Sequence, residues 1–150
     1  MSKIILLDSG PLGLISNPNA KPLPIACNRW AEAQAANGVR VLVPEICDYE
    51  IRRELLRAGK ARGLAKLDFL KVNLGFQPLN TPTMLKAAEF WAQARLRGYP
   101  SAHHLRLDAD VILAAQAASL ILEGHNVVIA TDNVSHLIHY VPAARWQDIT

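Results

Sequence analysis

Acidic residues stand at four places where alternating strands and helices could gather them. Asp8 ends the run IILLD, Glu50 lies in CDYEIRREL, Asp110 in LDADVILAAQA and Asp132 in VVIATDN. Two carboxylates about 4 Å apart repel by ~4 kcal/mol at an effective dielectric near 20, so such a cluster must protonate, separate or hold a cation. Oxygen-only ligands select Mg²⁺ or Mn²⁺ rather than zinc. A carboxylate-held Mg²⁺ can orient water and stabilise charge on a phosphate, so these residues predict metal-assisted phosphate chemistry.

Each of these acids also has a structural explanation. Asp8 and Asp132 follow strand-like runs and could cap the turn or helix that comes next. The amide oxygen of Asn133 could itself ligate a hard cation. Glu50 could instead form helical ion pairs on a solvated face with Arg53 as a neighbour. The acids gain functional weight only as a set.

Asp108 and Asp110 open a long apolar run, where the start of a helix favours carboxylates. Two residues apart on a helix, they face different sides and are not expected to share one site. Asp110 is the better candidate because it directly precedes the apolar run. Glu45 is an alternative to Glu50, although an acid in the first helical turn after Pro44 is expected for dipole reasons alone.

Apolar runs and turn signals predict alternating elements. The first run ends in a turn over Asp-Ser-Gly-Pro, and Asn80 precedes a proline as a helix cap. Residues 99–107 are expected to form a loop. Strands are predicted at 3–7, 39–43, 76–79, 127–130 and 144–146, and helices at 24–36, 44–58, 63–72, 81–97, 108–123 and 133–138. This alternation favours an α/β fold in which helices cover both faces of a mainly parallel sheet, with ligands at the carboxyl ends of the strands.

Bulk properties suit one domain spanning residues 1–150, of which 51% are hydrophobic. No apolar run is long enough to span a membrane, and no signal peptide is evident at the N-terminus. Cys27 and Cys47 lack CxxC spacing, which favours small core thiols and a cytoplasmic location. The net charge of +3 is compatible with a polyanionic partner. Arg52, Arg53 and Arg57 begin a basic stretch that could contact a phosphate backbone, the commoner alternative being a solvated helix face.

Taken in order, the segments IILLDSGPL, YEIRREL, DADVILAAQA and VVIATDNVSHL resemble the PIN-domain family of nucleases, which includes the VapC-type toxins of bacterial toxin–antitoxin pairs. The resemblance covers essentially the whole chain. It implies a compact three-layer α/β/α sandwich, Mg²⁺- or Mn²⁺-dependent cleavage of single-stranded RNA, a small antitoxin partner and a homodimer.

The resemblance also assigns roles by position. Asp8, Glu50 and Asp110 match the first three acids of the family's site, with Asp8 and Asp110 as metal ligands. On the family's pattern of Thr, any residue, then Asp or Asn, Asn133 takes the last place and Asp132 is its neighbour, so that either could complete the site. Ser9 and Thr131 match small hydroxyl positions beside the site and are supporting residues together with Asn133. Asp108 is a further supporting candidate from its place at the predicted helix start, not from the resemblance.

Three functions compete at this stage. The leading hypothesis is a metal-dependent endoribonuclease that acts as a toxin. The second is a PIN-fold module that binds RNA or protein without catalysis, motivated by the open fourth position. The third is a Mg²⁺ enzyme acting on small phosphorylated molecules, which ranks last because the sequence lacks a Gly-rich phosphate loop. The apolar helix carrying Leu85, Phe90 and Trp91 could be an interface or part of the core.

Overall fold

The computed structural model describes residues 2–99 and 104–150 of the chain. Within them, five strands form one sheet in the order β3-β2-β1-β4-β5, and every neighbouring pair is parallel. The elements, in chain order, are β1 (Lys3–Leu7), α1 (Ser9–Ser16), α2 (Pro22–Ala36), β2 (Arg40–Pro44), α3 (Glu45–Arg57), α4 (Ala61–Asn73), β3 (Phe76–Gln77), α5 (Thr81–Arg97), α6 (His104–Leu122), β4 (Asn126–Ala130), α7 (Val134–Leu137), β5 (Ala143–Ala144) and a 3₁₀ turn at Trp146–Asp148.

Strand β1 occupies the centre of the sheet between β2 and β4. Its residues Ile4 to Leu7 are all fully buried, as expected for a strand covered on both faces. Leu7 pairs with Ala130, the last residue of β4, and the Asp8 amide donates to the Ala130 carbonyl at 3.0 Å. The residues that follow β1 and β4 therefore emerge side by side at the carboxyl edge of the sheet.

The helices form the two outer layers of an α/β/α sandwich, which confirms the predicted fold class. Helix α1 packs against α2 and α4, whereas α5 packs along α6. Helix α3 contacts both α4 and α6, so it links the two groups. The apolar residues of α6 are buried at Val111, Leu113 and Ala114, but Leu122 at its end is 89% exposed. In the described part of the chain, no helix has the length and apolarity needed to cross a bilayer.

Three boundaries differ from the prediction in ways that matter for the site. The predicted turn after β1 is helix α1, because Asp8 caps it by accepting the Ser9 amide proton. Helix α6 begins at His104 rather than at Asp108, so the prediction of a loop over residues 99–107 is wrong for its last four residues. Residues 100–103 of that loop lie outside the described part of the chain. Strand β5 ends at Ala144, and a 3₁₀ turn replaces its predicted continuation.

We expect Leu113→Ala to destabilise the protein by about 2–5 kcal/mol, because the side chain is 1% exposed and its loss leaves a cavity. Leu122→Ala, in the same helix but 89% exposed, should stay within about 0.5 kcal/mol of wild type. Urea unfolding of the two variants measures both effects. Equal losses would mean that α6 does not bury the face described above.

Candidate metal centre

The carboxylate of Asp8 is the centre of a hydrogen-bonded cluster at the carboxyl edge of the sheet. The residue is 3% exposed. Its Oδ1 accepts the Ser9 amide proton at 2.7 Å and lies 3.4 Å from the Ser9 hydroxyl. Its Oδ2 accepts the Thr131 hydroxyl proton at 2.7 Å. Asp8 is therefore both the cap of α1 and a buried carboxylate of the site, so the two interpretations of this residue are compatible.

Thr131 connects the ends of β1 and β4. Its fully buried hydroxyl donates to Asp8 and accepts the backbone N–H of Asn133 at 2.8 Å. The Asn133 side chain occupies the cap position of α7 without making a capping hydrogen bond. Thr131 thus orients the Asp8 carboxylate directly. The backbone N–H of Asn133 in turn holds the Thr131 hydroxyl in place.

Glu50 and Asp110, together with Asp8, form a group of three carboxylates. Oxygens of Asp8 and Glu50, with the sulfur of Cys47, lie within 4.8 Å of one another. Burial and the charge of Asp8 raise the pKa of Asp110 to about 6. Burial, Asp8 and Asp110 also raise the pKa of Glu50. The three acids therefore share one electrostatic site, and their predicted catalytic and metal-binding roles stay predictions.

Asp132 lies apart from this group. Its side chain is exposed and its carboxylate lies over the backbone of Gly10, where an added Cβ would overlap it. It is not among the charges that shift the pKa of Glu50 or Asp110; instead it contributes, after burial, to raising the pKa of Cys27 to about 12. The start of α1 provides partial positive charge beside this carboxylate. Asp132 lies at the rim on the α1 side, and its predicted catalytic role stays a prediction.

Asp108 is also separated from the three acids. It is exposed and lines a surface groove between α5 and α6 together with Met84 and Trp91. Two residues along a helix place it on a different side from Asp110. Its predicted supporting role therefore has no geometric basis in this structure. Glu45, the alternative to Glu50, accepts the Leu79 backbone N–H at 2.6 Å and holds the chain before α5.

The three arginines predicted to contact nucleic acid have different surroundings. Arg52 forms ion pairs with Asp48 at 2.9 Å and Asp68 at 2.6 Å, which link α3 to α4. Arg57 pairs with Glu54 at 2.8 Å. Arg53 lies over the ring of Tyr49, and its charge lowers the pKa of Glu50 against the larger raising effect of burial. Arg53 is therefore the one of the three whose charge reaches the site.

Sequence reasoning missed three neighbours of the acids. Cys47 precedes Glu50 by three residues in α3, a spacing that places both on one helix face. Arg106 precedes Asp110 by four residues in α6, and its charge lowers the pKa of both Asp110 and Glu50. The predicted start of α6 at Asp108 hid that spacing. Tyr140 lies near enough for Asp110, after burial, to raise its pKa.

The donor set fits a hard divalent cation. Asp8, Glu50 and Asp110 supply carboxylate oxygens from three parts of the fold. Burial and the charge of Asp8 raise the pKa of both Glu50 and Asp110 despite the nearby arginines. The cluster therefore lacks positive charge, which Mg²⁺ or Mn²⁺ would provide. The nearby sulfur of Cys47 is the one soft donor in this group. Burial, Asp8 and Glu50 raise the pKa of its thiol well above the usual range.

No protein-family model matches the sequence, and no curated protein matches it. Solved structures do match, across nearly the whole chain. One is the structure of VapBC2 from Rickettsia felis bound to a DNA fragment from its promoter. It aligns with a TM-score of 0.73 at 15% identity, covering 95% of this chain and 98% of that chain. FitAcB from Neisseria gonorrhoeae aligns with a TM-score of 0.69 at 17% identity, covering 97% and 99%. DNA-bound VapBC from Salmonella typhimurium aligns with a TM-score of 0.67 at 20% identity, also covering 97% and 99%.

At these identities the likeness establishes the fold. The chain has a VapC-like PIN-domain fold, which confirms the resemblance inferred from its sequence segments.

Asp110→Asn should stabilise the metal-free protein at pH 7.5 and not at pH 4. Because its folded pKa is raised to about 6, ionisation of Asp110 opposes folding. The penalty develops as pH rises from about 4 to above 6 and reaches roughly 3 kcal/mol. Urea unfolding in EDTA at both pH values measures the gain. The exposed Asp108→Asn is the control, and an equal gain there would contradict a site-specific effect.

Thr131→Val is expected to cost about 1.5–3 kcal/mol, because it removes a donor from a buried carboxylate and an acceptor from the Asn133 amide. Thr131→Ser retains the hydroxyl and should recover most of that loss. Thermal or urea unfolding compares the two. A serine variant as unstable as the valine variant would assign the effect to the lost methyl group instead.

Proposed function

We propose that this chain, with its VapC-like PIN-domain fold, is a Mg²⁺- or Mn²⁺-dependent endoribonuclease that cleaves single-stranded RNA and acts as the toxin of a toxin–antitoxin pair. The observation that carries the proposal is the meeting of Asp8, Glu50 and Asp110 at the carboxyl edge of a parallel sheet, where α/β proteins bind ligands. The fold supports a nuclease. The lack of balancing positive charge around the carboxylates supports metal dependence.

In this proposal Asp8 and Asp110 hold the metal ion, and the Glu50 carboxylate lies beside it. When bound, Mg²⁺ or Mn²⁺ supplies Lewis-acid stabilisation of the charge that builds on a phosphodiester during in-line attack. Thr131 and Ser9 keep the Asp8 carboxylate in one orientation through bonds of 2.7 Å each. This preorganisation matters because misplaced ligands lose catalytic power steeply.

The other residues around the acids divide the remaining tasks. Glu50 is only partly buried, so it can reach an attacking water and accept its proton. Arg106 is exposed, and Arg53 lies beside the same acids, so both can bind the phosphates that flank the cleaved bond. Arg52 and Arg57 contribute less to RNA binding because acidic partners already occupy their guanidinium groups.

An antitoxin partner is part of the same proposal. The matching structures are named as VapBC complexes and FitAcB, which motivates a small bound protein for this chain. Apolar side chains such as Phe69 at 60% exposure and Val72 at 85% leave surface available for one on α4. A homodimer is proposed as well, with Leu85, Leu122 and Ile121 forming an exposed apolar area on α5 and α6. Phe90, predicted with Leu85, is buried in the core.

The proposal predicts RNA cleavage that depends on both metal and Asp8. Purified protein should cut single-stranded RNA with Mg²⁺ or Mn²⁺, and EDTA should stop it. Asp8→Asn should lower the rate at least ~100-fold, equivalent to about 2.7 kcal/mol of transition-state stabilisation. Glu89→Gln, at a surface residue of α5 whose carboxylate pairs with Lys86, is the matched control and should cut normally.

Three outcomes would contradict the proposal in different ways. Cleavage at the wild-type rate in Asp8→Asn would remove the carboxylate site from the chemistry. Tight RNA binding without Mn²⁺ affinity or cleavage would favour a binding module, consistent with the position of Asp132 outside the three acids. A wild-type preference for small phosphate esters over RNA would redirect the site to another substrate class.

A further inference from the structure

Cys47 places a thiol among the carboxylates of the proposed metal centre. The residue is completely buried, and its Sγ lies 3.7 Å from Asp8 Oδ1. Cys47 and Glu50 share one face of α3, because they lie three positions apart on the helix. Ligand atoms of Asp8, Cys47 and Glu50 all lie within 4.8 Å of one another. Three potential metal ligands of two chemical kinds therefore converge from β1 and α3.

Burial alone does not account for this arrangement, as the second cysteine shows. Cys27 is equally buried, but its Sγ faces the Pro11 carbonyl at 3.9 Å. Among the residues that the structure describes, Cys27 belongs to no group with metal-ligand spacing. The chain thus contains one ordinary core thiol and one directed at a pair of carboxylates. This difference makes Cys27 an internal control for Cys47.

The spacing suits one ion of the zinc type. Zinc binds sulfur at about 2.3 Å and carboxylate oxygen at about 2.0–2.2 Å, so ligand atoms around a tetrahedral ion lie about 3.3–3.8 Å apart. Cys47 Sγ and Asp8 Oδ1 already lie 3.7 Å apart, and the ligand atoms of all three residues lie within 4.8 Å of one another. Thiolate is a soft ligand that selects zinc-like ions, whereas Mg²⁺ takes oxygen ligands.

We propose that Cys47, with Asp8 and Glu50, forms a thiolate-containing site for Zn²⁺ or Cd²⁺ that overlaps the Mg²⁺ site and competes with it. On binding, the S–H bond of Cys47 is replaced by a sulfur–metal bond, and the proton passes to the buffer. Nothing is oxidised or reduced. Because Asp8 is common to both sets of ligands, the two ions exclude each other. The competition rests on the function proposed above; the thiolate site itself does not.

The experiment uses Cd²⁺ as the probe and ultraviolet absorption as the readout. Metal-free protein titrated with Cd²⁺ should show a sulfur-to-cadmium charge-transfer band at one ion per chain. The band should persist in Cys27→Ser and disappear in Cys47→Ser, which should bind Cd²⁺ at least about tenfold more weakly. Mn²⁺ binding, followed by electron paramagnetic resonance, should change little in Cys47→Ser, because it needs only the oxygen ligands.

Competition in the wild-type protein avoids reliance on a variant that might fold poorly. Increasing Mg²⁺ should raise the Cd²⁺ concentration needed to form the band, and Asp8→Asn should weaken Cd²⁺ binding while leaving the thiol in place. A band that survives in Cys47→Ser or is lost in Cys27→Ser overturns the thiolate site, and a band unaffected by Mg²⁺ overturns the competition. RNA cleavage without a cadmium band contradicts this inference alone. A Cys47-dependent band without RNA cleavage contradicts the proposed nuclease and retains the thiolate site.

Discussion

Repulsion among buried carboxylates is the constraint on which the rest of this structure depends. Asp8 and Asp110 are almost completely buried. Burial and the charge of Asp8 raise the pKa of Asp110, and burial, Asp8 and Asp110 raise the pKa of Glu50. The protein offsets part of this cost at Asp8, where the Ser9 amide and the Thr131 hydroxyl both donate. Arg106 and Arg53 offset another part. The remaining deficit of positive charge is what makes a divalent cation the natural occupant.

The parallel sheet explains why such an unfavourable cluster can be held at all. Strands β1 and β4 end in register, so Asp8 and Thr131 are fixed by backbone hydrogen bonds as well as by their side chains. Helix α1 begins immediately afterwards, and its first amide, that of Ser9, donates to the same carboxylate. Glu50 and Asp110 come from α3 and α6, which contact each other. The rigid edge thus holds Asp8 firmly, while two packed helices bring the other acids to it.

Two side chains at this edge separate the present protein from a simple four-acid arrangement. Asp132 projects over Gly10 at the start of α1, where the absence of a Cβ leaves room for its carboxylate. Cys47 lies inside the cluster and introduces sulfur among oxygen ligands. The first difference reduces the negative charge within the pocket. The second changes which ions the pocket can discriminate, because ligand softness and not charge alone sets metal preference.

The sequence by itself determined the fold class and most of the site. Runs such as IILL and VVIA are apolar at every position, which is typical of strands buried on both faces, and their order with the helices predicted the parallel sheet. The grouping of Asp8, Glu50 and Asp110 followed from strand ends and helix starts. These features are local, so that residue type and spacing are enough to indicate them.

Tertiary structure alone decided which neighbours those acids have. The start of α6 four residues earlier than predicted brought Arg106 into line with Asp110. The ion pair with Asp68 on α4 gave the Arg52 guanidinium an acidic partner. The direction of the Asp132 side chain depended on the space above Gly10. The place of Cys47 among the acids depended on its contact with Asp8, which lies 39 residues earlier in the chain. Such contacts depend on distances between elements far apart in the chain, for which a single sequence carries no local signal.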